Sequence, residues 1–341
     1  MNSYFSTFIT GFSEVVREAF KKSVPDVKID LLLDGLVAYR TDLTYSAILK
    51  LRFFNNTFAL LHFLKKSTNR PFSEMRDWVK DNDEFGANLN KVLGKGITSL
   101  KLIFVEENQY IHLDNHFVDH LMELVTIKTH ISASKQDGDQ ELWFLVRKEG
   151  YLLIGLRLNA HPDYEKVLQK GELKPELSHL LCMLSEPFED DVFLDPFAGS
   201  GAIALERSLA PPFKRVIALD NNPDIVQSLK TRFKGTKVEV YEHDAINLKM
   251  LIGKNQIDKI VTDPPWGLYG EKINIGSYYP QILEVFHQVL KTSGILVLLV
   301  SRSIDINKLL ISFSSKVKLI HRIDTLVNGQ KASVYKIQKV D

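Results

Sequence analysis

A glycine-containing turn near the middle of the sequence has the residue types of a ligand-binding loop. The apolar run Val192–Leu194 ends in Asp195, and Gly199 and Gly201 follow shortly after it. The two glycines permit positive φ and close approach of the backbone, so a ligand could lie across the turn. The spacing matches neither the G-x-G-x-x-G of a dinucleotide site nor a phosphate-binding P-loop with its Lys-Ser/Thr. It therefore favours a ligand other than NAD or ATP.

Further polar residues follow other β-prone runs, among them the short stretch Asp263-Pro-Pro-Trp266. Four acids stand just after predicted strands: Asp195, Asp220, Asp244 and Asp263. Ligands of open parallel sheets lie beyond the carboxyl ends of the strands, so these acids are candidates for one shared site. For Asp195 the alternative is an acid that caps the following helix, and for the second acid, capping by Asp220 or Asn221 is a serious possibility.

The elements that must position these residues alternate as in a doubly wound sheet. Strands are predicted at 192–195, 215–219, 237–241, 257–262 and 294–300, and helices at 201–209, 223–233, 279–290 and 305–313. The last two β-rich runs, joined by Asn328-Gly329, predict an antiparallel hairpin. The fold class is therefore α/β with an antiparallel C-terminal hairpin.

Both short stretches resemble motifs of a known enzyme class. Asp195-Pro-Phe-Ala-Gly-Ser-Gly201 resembles the first motif of Rossmann-like methyltransferases that depend on S-adenosylmethionine (SAM). Asp263-Pro-Pro-Trp266 resembles the (D/N)-P-P-(Y/F/W) motif of enzymes that methylate exocyclic nitrogens. The two motifs occur in this order, each after a β-prone run. The resemblance implies a Rossmann-like SAM methyltransferase domain.

The resemblance also implies a role for each site residue. Asp220 would accept the ribose hydroxyls of SAM, and Asp244 would receive the adenine amino group. The implied cofactor-binding set is Asp195, Pro196, Phe197, Ala198, Gly199, Ser200, Gly201, Asp220, Asn221, Asp244, Ala245 and Asp263. The implied catalytic set is Asp263, Pro264, Pro265 and Trp266.

The chemistry of an exocyclic amine explains why the second motif needs these residue types. The lone pair of such an amine is delocalised into the base, so the enzyme must localise it and aim it at the sulfonium methyl. The Asp263 carboxylate and the Pro264 carbonyl would accept the two N–H groups and hold the nitrogen in line. Pro265 would stiffen the loop, and Trp266 would offer a face for base stacking, worth ~1 to 3 kcal/mol. The alternative is a plain turn after a buried strand.

The first 158 residues resemble an RNA-binding module. The run 141–158 predicts a hairpin around Lys148-Glu-Gly150, and it resembles the closing hairpin of a THUMP domain, which is attached to several tRNA- and rRNA-modifying enzymes. The whole layout resembles the THUMP-containing tRNA guanine-N2 methyltransferases. The predicted domains are a ferredoxin-like unit at 1–45, a THUMP-like RNA-binding domain at 46–158, a linker at 159–172 and the methyltransferase domain at 173–341.

Basic and aromatic residues alternate in the segment 47–66. Basic side chains among aromatic ones could hold RNA phosphates and bases. The other interpretation is a surface strand pair with its aromatic residues in the core, and it is favoured for most of them. The aromatic residues are Phe53, Phe54, Phe58 and Phe63, and the basic ones are Lys50, Arg52, Lys65 and Lys66.

Composition limits the function classes. The chain has 341 residues, 45% hydrophobic and 25% charged, with a formal net charge of +1, which is typical of a globular protein and leaves only a local basic patch for nucleic acid. No apolar run is long enough for a bilayer and the start does not resemble a signal peptide, so a cytoplasmic protein without membrane contact is expected. One cysteine excludes a multi-cysteine zinc site, and His112, His116 and His120 lack a completing ligand, so no metal is expected.

The functional hypothesis is a SAM-dependent RNA methyltransferase that modifies an exocyclic amine, with guanine N2 in tRNA preferred. The alternatives are adenine N6 in RNA or DNA, guanine N2 in rRNA, and a non-catalytic RNA-binding protein that keeps the fold as a scaffold. The sequence determines neither the nucleotide position, nor the number of methyl groups added, nor the oligomeric state.

Overall fold

The structure, a computed structural model, describes residues 1–65, 69–158, 172–210, 212–267 and 274–340. Clustering of contacts divides the chain into two compact units. The first comprises Met1–Phe8 and Phe20–Lys166, and the second comprises Ile9–Ala19 and Val167–Asp341. The predicted linker 159–172 lies, except for its last residue, outside the described residues.

The elements of residues 1–158 comprise both strands and helices. They are β1 (Asn2–Thr7), α1 (Ser13–Ser23), β2 (Lys28–Leu33), β3 (Leu36–Thr41), α2 (Tyr45–Ile48), β4 (Asn56–Lys65), α3 (Pro71–Asp81), α4 (Phe85–Val92), β5 (Ser99–Glu106), β6 (Gln109–Tyr110), α5 (Asn115–Thr129), β7 (Ser132–Ser134), β8 (Gln140–Val146) and β9 (Tyr151–Arg157). The strands form one sheet in the order β2-β3-β1-β4-β9-β8-β5-β6, with β7 paired to β5. The predicted hairpin of 141–158 is confirmed as the antiparallel pair β8 and β9.

The core of this sheet explains the aromatic residues of the segment 47–66. The predicted strand pair is wrong, because the chain forms the short helix α2 and then the single strand β4. Phe53, Phe54 and Phe58 are buried, whereas Lys50 and Arg52 are exposed. The prediction that most of these aromatic residues lie in the core is therefore confirmed for these three, and the two basic residues that precede them are exposed.

The three histidines do not share a helical face. Helix α5 begins at Asn115, and Asp114 caps it by accepting a hydrogen bond from the Phe117 backbone N–H at 3.2 Å. His112 therefore lies before the helix. In the part of the chain that the structure describes, no group of three His, Cys, Asp or Glu residues is arranged to hold a metal ion.

The elements of residues 172–340 follow the predicted alternation. They are α6 (Pro175–Leu184), β10 (Val192–Asp195), α7 (Ala202–Leu209), β11 (Arg215–Asp220), α8 (Pro223–Arg232), β12 (Val238–Glu242), a 3₁₀ turn (Ala245–Asn247), α9 (Leu248–Ile252), β13 (Ile257–Thr262), α10 (Ile275–Val289), β14 (Leu290–Ser301), α11 (Ile306–Ile311), β15 (Val317–Val327) and β16 (Gln330–Lys339). Helix α10 begins four residues earlier than the sequence pattern predicts, with Pro280 inside it.

The sheet of the second unit has the order β12-β11-β10-β13-β14-β16-β15. The pairs from β12 to β14 are parallel, and β16 is antiparallel to both of its neighbours. The predicted fold class is therefore confirmed, including the C-terminal hairpin. Successive strands run outward in opposite directions from β10 and β13, so the strand order reverses between these two strands, where ligands of such sheets bind.

Helix α10 closes one face of this sheet. Ile282, Leu283, Phe286 and Val289 of the helix pack with strand residues such as Leu194 in one buried core. Among the described helices, none is long and apolar enough to cross a membrane.

Candidate active site at the switch point of the sheet

A cleft of about 410 Å³ opens at the carboxyl ends of the parallel strands, beside the point where the strand order reverses. This volume lies within the ~300 to 1,000 Å³ that is usual for small-molecule sites. The residues that line it are Pro196, Phe197, Asp220, Asn221, Asn222, Ile225, His243, Ala245, Asp263, Pro265 and Tyr278. Residues from five separate segments of the chain therefore converge on one concave surface.

The glycine loop after β10 takes its shape from backbone hydrogen bonds. The Ala198 N–H donates to the Leu219 carbonyl at 2.8 Å, and the Gly201 N–H donates to the Ala198 carbonyl at 2.6 Å. Gly199 and Gly201 have φ of +49° and +81°. A Cβ on Gly201 would lie 2.7 Å from a methyl of Leu229, so packing as well as φ requires glycine there. A Cβ on Gly199 would meet open space instead.

Asp220, the last residue of β11, is tied to the glycine loop. Its Oδ2 accepts a hydrogen bond from the Gly199 N–H at 3.1 Å, and its Oδ1 accepts one from the Asn222 N–H at 2.9 Å. The carboxylate lines the cleft and retains further lone pairs, because an ionised carboxylate has about four acceptor positions. It can therefore accept hydroxyl groups of a ligand while holding the loop.

The capping alternative for Asp220 and Asn221 is wrong. Asn222 caps α8, since its side-chain oxygen accepts hydrogen bonds from the Asp224 N–H at 2.9 Å and the Ile225 N–H at 3.4 Å. The cap lies one residue later than expected because Pro223 occupies the first position of the helix. Neither Asp220 nor Asn221 is the N-cap residue of α8.

The segment after β12 contributes a second edge of the cleft. Asp244 caps the 3₁₀ turn by accepting a hydrogen bond from the Ile246 N–H at 3.0 Å. Ala245 and His243 line the cleft, whereas Asp244 is not among the lining residues. The His243 ring lies 3.0 Å from the Asn247 carbonyl through Nε2. Asp244 is therefore a cap residue, a role that the sequence pattern did not indicate, and its carboxylate keeps further acceptor positions.

Asp195 is buried behind the cleft. Its Oδ1 accepts hydrogen bonds from the Thr262 hydroxyl at 2.8 Å and from the Phe197 N–H at 3.3 Å. Its Oδ2 is buried, and no described residue donates to it. Burial is the main reason that the pKa of Asp195 rises to about 7, and the negative charge of Asp220 adds to the effect. Asp195 therefore joins β10 to the end of β13 rather than lining the cleft.

Asp263 follows β13 and lines the cleft. Its Oδ1 accepts a hydrogen bond from the indole Nε1–H of Trp266 at 2.7 Å. Burial raises the pKa of Asp263 to about 7, the Trp266 hydrogen bond opposes this rise, and the charge of Asp195 adds to it. A carboxyl group with a pKa near neutrality can accept and release a proton during turnover.

The two prolines differ in their positions. Pro265 lines the cleft, and its carbonyl accepts a hydrogen bond from the hydroxyl of Tyr279, a fully buried residue of α10, at 3.0 Å. Pro264 is buried and does not line the cleft. Trp266 is partly exposed and is likewise not one of the residues that line the cleft. Helix α10 thus fixes the turn through one carbonyl.

The structure brings together the predicted residues Pro196, Phe197, Asp220, Asn221, Ala245, Asp263 and Pro265 at the cleft surface. Of the rest, it places Asp195, Ala198, Gly201 and Pro264 in buried positions and leaves Gly199, Ser200, Asp244 and Trp266 partly exposed beside them. Sequence reasoning missed the lining residues Asn222, Ile225, His243 and Tyr278. For the first three the signal was available, because each lies within six residues of the carboxyl end of a predicted strand.

Arg232, at the end of α8, is a further missed residue. Its Nη1 donates to the Ser200 carbonyl at 2.5 Å and lies 3.4 Å from the Glu172 carboxylate, which is buried. The glycine loop is therefore held from outside as well as by Asp220. Nothing in the local sequence points to this contact, because 32 residues separate the two partners.

Comparison with known proteins identifies the class of the second half of the chain. Residues 162–325 match the family model described as UPF0020: RMKL-like, methyltransferase domain. This segment is therefore a methyltransferase domain. It contains the glycine loop, the acid after β11 and Asp263-Pro-Pro-Trp266.

Curated relatives match about half of the chain. The tRNA (guanine(10)-N2)-dimethyltransferase of Methanothermobacter thermautotrophicus is 28% identical over 158 residues, which are 44% of this chain and 45% of the relative. The tRNA (guanine(6)-N(2))-methyltransferase THUMP3 of Mus musculus is 28% identical over 184 residues, 49% of this chain and 36% of the relative. The chain thus spans less than half the length of these two relatives.

Solved structures match the whole chain. TrmN from Thermus thermophilus superposes with a TM-score of 0.78 over 100% of both chains at 19% identity. SMU.472, a putative methyltransferase crystallised with SAH, superposes with a TM-score of 0.66 over 98% of this chain and 97% of that one at 12% identity. At these identities the likeness concerns the fold, and it extends to both units.

Proposed function

We propose that this chain, whose residues 162–325 form a methyltransferase domain, transfers a methyl group from SAM to the exocyclic N2 amine of a guanine in tRNA. The observation that carries the proposal is that the Asp263 carboxylate and the Asp220 carboxylate line one cleft at the switch point of the sheet. In this proposal the Asp263 carboxylate engages the methyl acceptor, and the Asp220 carboxylate holds the methyl donor.

The residues of the cleft fit SAM. Asp220 has acceptor positions left for the two ribose hydroxyls, and the open space beside Gly199 admits a ligand close to the backbone. The buried Oδ2 of Asp195 has no donor among the described residues, and a carboxylate in that position favours a nearby cation. Ala245 provides backbone at the cleft edge where the adenine is expected, and Asp244 stands beside it.

The acceptor side follows from the chemistry of the amine. Bound SAM supplies a sulfonium-activated methyl group. The Asp263 carboxylate accepts one N–H of the amine, so that the nitrogen lone pair points along the line of displacement. We propose that the carbonyl of Pro264, a buried residue between the lining residues Asp263 and Pro265, accepts the other N–H. As the new N–C bond forms, the bond between the methyl carbon and the sulfonium sulfur would break, and its electron pair would leave a neutral thioether. The nitrogen then carries a positive charge and releases one proton. Asp263, whose pKa burial raises to about 7, is placed to accept it.

RNA is the proposed partner of the first unit. We propose that 1–45 is the ferredoxin-like unit and 46–158 the THUMP-like RNA-binding domain, joined through the linker 159–172 to the methyltransferase domain at 173–341. Support comes from the full-length fold likeness to TrmN and from exposed basic side chains beside a buried aromatic core. The exposed residues are Lys50, Arg52, Lys65 and Arg70. We also propose a cytoplasmic location, where tRNA would be available to it.

The experiment is transfer of labelled methyl groups from SAM to unmodified tRNA, rRNA fragments and DNA in parallel, followed by digestion to nucleosides. N2-methylguanosine from tRNA is the expected product. N6-methyladenosine would show that adenine, not guanine, is the methylated base. Label in rRNA or DNA alone would show that tRNA is not the substrate. Absence of SAM binding by calorimetry would favour a non-catalytic RNA-binding protein.

An Asp263→Ala variant tests the proposed roles in the same assay. Loss of the acceptor and base predicts a fall in turnover of at least about 100-fold, while SAM binding largely persists. Asp258→Ala is a useful control, because Asp258 lies within β13, the strand that Asp263 follows, and accepts a hydrogen bond from Lys291 Nζ at 2.8 Å. If Asp263→Ala kept full turnover, the proposed reaction centre would be wrong.

A further inference from the structure

The indole of Trp266 is a hydrogen-bond donor to the reaction centre. Its Nε1–H lies 2.7 Å from Oδ1 of Asp263, three residues earlier in the chain. The pair closes a short ring across Pro264 and Pro265, which cannot themselves donate backbone hydrogen bonds. The aromatic side chain of this turn therefore makes a directed polar contact in addition to offering a flat face.

A second contact fixes the same turn from the other side. Tyr279, which is fully buried in α10, donates its hydroxyl hydrogen to the Pro265 carbonyl at 3.0 Å. The backbone between Asp263 and Trp266 is thus held to the packed face of the sheet. With this backbone held, the indole hydrogen bond favours the Asp263 rotamer that places Oδ1 against Nε1.

This contact makes the two oxygens of Asp263 unequal. Oδ1 is engaged by the indole, and no described residue donates to Oδ2. Because Asp263 lines the cleft, Oδ2 is the oxygen that can accept an N–H from a bound base without breaking an existing hydrogen bond. The carboxylate is therefore already oriented when the methyl acceptor binds.

We propose that Trp266 is a positioning residue, whose indole N–H fixes the Asp263 carboxylate so that Oδ2 receives the amine hydrogen of the methyl acceptor. This inference rests on the proposed function and deepens it. Stacking of a base requires only an aromatic face, which phenylalanine also provides. Donation to Oδ1 requires a nitrogen-bound hydrogen near the ring fusion, which phenylalanine lacks and which the hydroxyl at the far end of tyrosine cannot replace.

The hydrogen bond also stabilises the charged form of the carboxylate. Burial raises the pKa of Asp263 to about 7, and the Trp266 hydrogen bond acts in the opposite direction. Removing the donor while keeping the aromatic ring must therefore raise the pKa of Asp263 further. Because turnover needs the ionised carboxylate, activity should begin to fall at a higher pH than in the wild type as the solution is acidified.

Steady-state kinetics of Trp266→Phe test the inference. We expect kcat to fall about 10- to 100-fold, the KM for RNA to change less than about 3-fold, and the acidic limb of the kcat profile to move up by about 1 pH unit. Trp143→Phe is the matched control, because Trp143 in the other unit donates its indole N–H to Glu141 at 2.8 Å. It should leave the acidic limb of the kcat profile at the same pH as in the wild type, because the Trp143 indole donates to Glu141 and not to Asp263.

A stacking role alone gives a different pattern. In that case Trp266→Phe would keep kcat and its pH profile, and at most the KM would rise, which overturns the inference. If the wild type methylates no guanine amine on any RNA, the proposed function fails instead. The hydrogen bond between Trp266 and Asp263 is then tested by a measurement that does not require enzymatic turnover.

NMR on the protein without substrate tests this hydrogen bond directly. With ¹⁵N-labelled tryptophan the three tryptophans of the chain give three indole N–H signals, and Trp266→Phe assigns one of them. That signal should titrate with a midpoint near pH 7 in the wild type, following Asp263, and should stop titrating in Asp263→Asn. A Trp266 signal that does not respond to pH in the wild type would overturn the inference, even if the activity assay succeeds.

Discussion

The Asp220 carboxylate accepts a hydrogen bond from the Gly199 backbone N–H at 3.1 Å. One acid at the end of β11 therefore holds the loop that follows β10, and its other oxygen holds the start of α8 through the Asn222 N–H at 2.9 Å. A residue proposed to bind the ribose of SAM also shapes the loop beneath the ligand. Its two roles predict different effects for different substitutions.

Asp220→Ala should weaken SAM binding more than Asp220→Asn. The alanine variant loses both the ligand acceptor and the loop contact, and a hydrogen bond that involves a charged group contributes ~1.5 to 3 kcal/mol, or about 10- to 100-fold in Kd. Asparagine keeps one acceptor oxygen and should cost less. Calorimetry with SAM measures both, and Asp224→Ala, an exposed acid in the first turn of α8, is the control. Equal binding by Asp220→Ala and the wild type would contradict the assignment.

The two glycines of the loop should respond differently to alanine. Gly201→Ala combines φ of +81° with a Cβ only 2.7 Å from Leu229, so it should lower the free energy of unfolding by about 2 to 5 kcal/mol. Gly199→Ala has φ of +49° and open space around its Cβ, so about 1 to 2 kcal/mol is expected. Its added methyl should instead interfere with SAM. Urea unfolding and calorimetry separate the two effects, and similar stability losses would contradict the packing argument.

The alternation of strands and helices in the second unit was predictable because each element is a local pattern. The apolar run before Asp195, the glycines after it and Asn328-Gly329 act over a few residues, and the structure confirms each of them. The strand pair expected in the segment 47–66 failed for the same reason. Local spacing cannot tell whether buried Phe53 and Phe54 belong to a strand or to a loop that packs on the core.

Residues of the site that depend on distant contacts were not predictable. Arg232 reaches the Ser200 carbonyl across 32 positions, and the Asp195 carboxylate meets Thr262 across 67. Both contacts exist because parallel pairing of β10 with β13 and packing of α8 beside the loop bring separate segments together. Tyr278 lines the cleft because α10 begins earlier than its apolar spacing indicates. The sequence motifs thus identify the loops, and the packing determines which side chains enter the cleft.

Asp195→Asn should change how stability depends on pH. Burial raises the pKa of Asp195 in the folded protein to about 7, above its value of ~4 in an unfolded chain. The folded state therefore holds the proton more tightly, and this stabilisation is complete below pH ~4 and is lost as pH rises through ~7. Asparagine keeps an oxygen that can accept from Thr262 but has no charge to desolvate.

The measurement is urea unfolding of both proteins between pH 5 and pH 8. The difference in the free energy of unfolding should move in favour of Asp195→Asn by about 1 to 3 kcal/mol as pH rises over this range. Asp224→Asn, at an exposed position, should follow the wild type at every pH. A constant difference for Asp195→Asn would mean that the acid is ionised throughout, and the argument from burial would be wrong.

Arg232→Ala should loosen the glycine loop without unfolding the domain. The guanidinium donates to the Ser200 carbonyl at 2.5 Å and lies 3.4 Å from the buried Glu172 carboxylate, so its loss removes the outer support of the loop. Because Arg232 is only partly buried, we expect about 3- to 10-fold weaker SAM binding. Lys230→Ala, an exposed position on the same helix, is the matched control. If both variants bind SAM like the wild type, then Asp220 and the backbone hydrogen bonds alone hold the loop in its binding conformation.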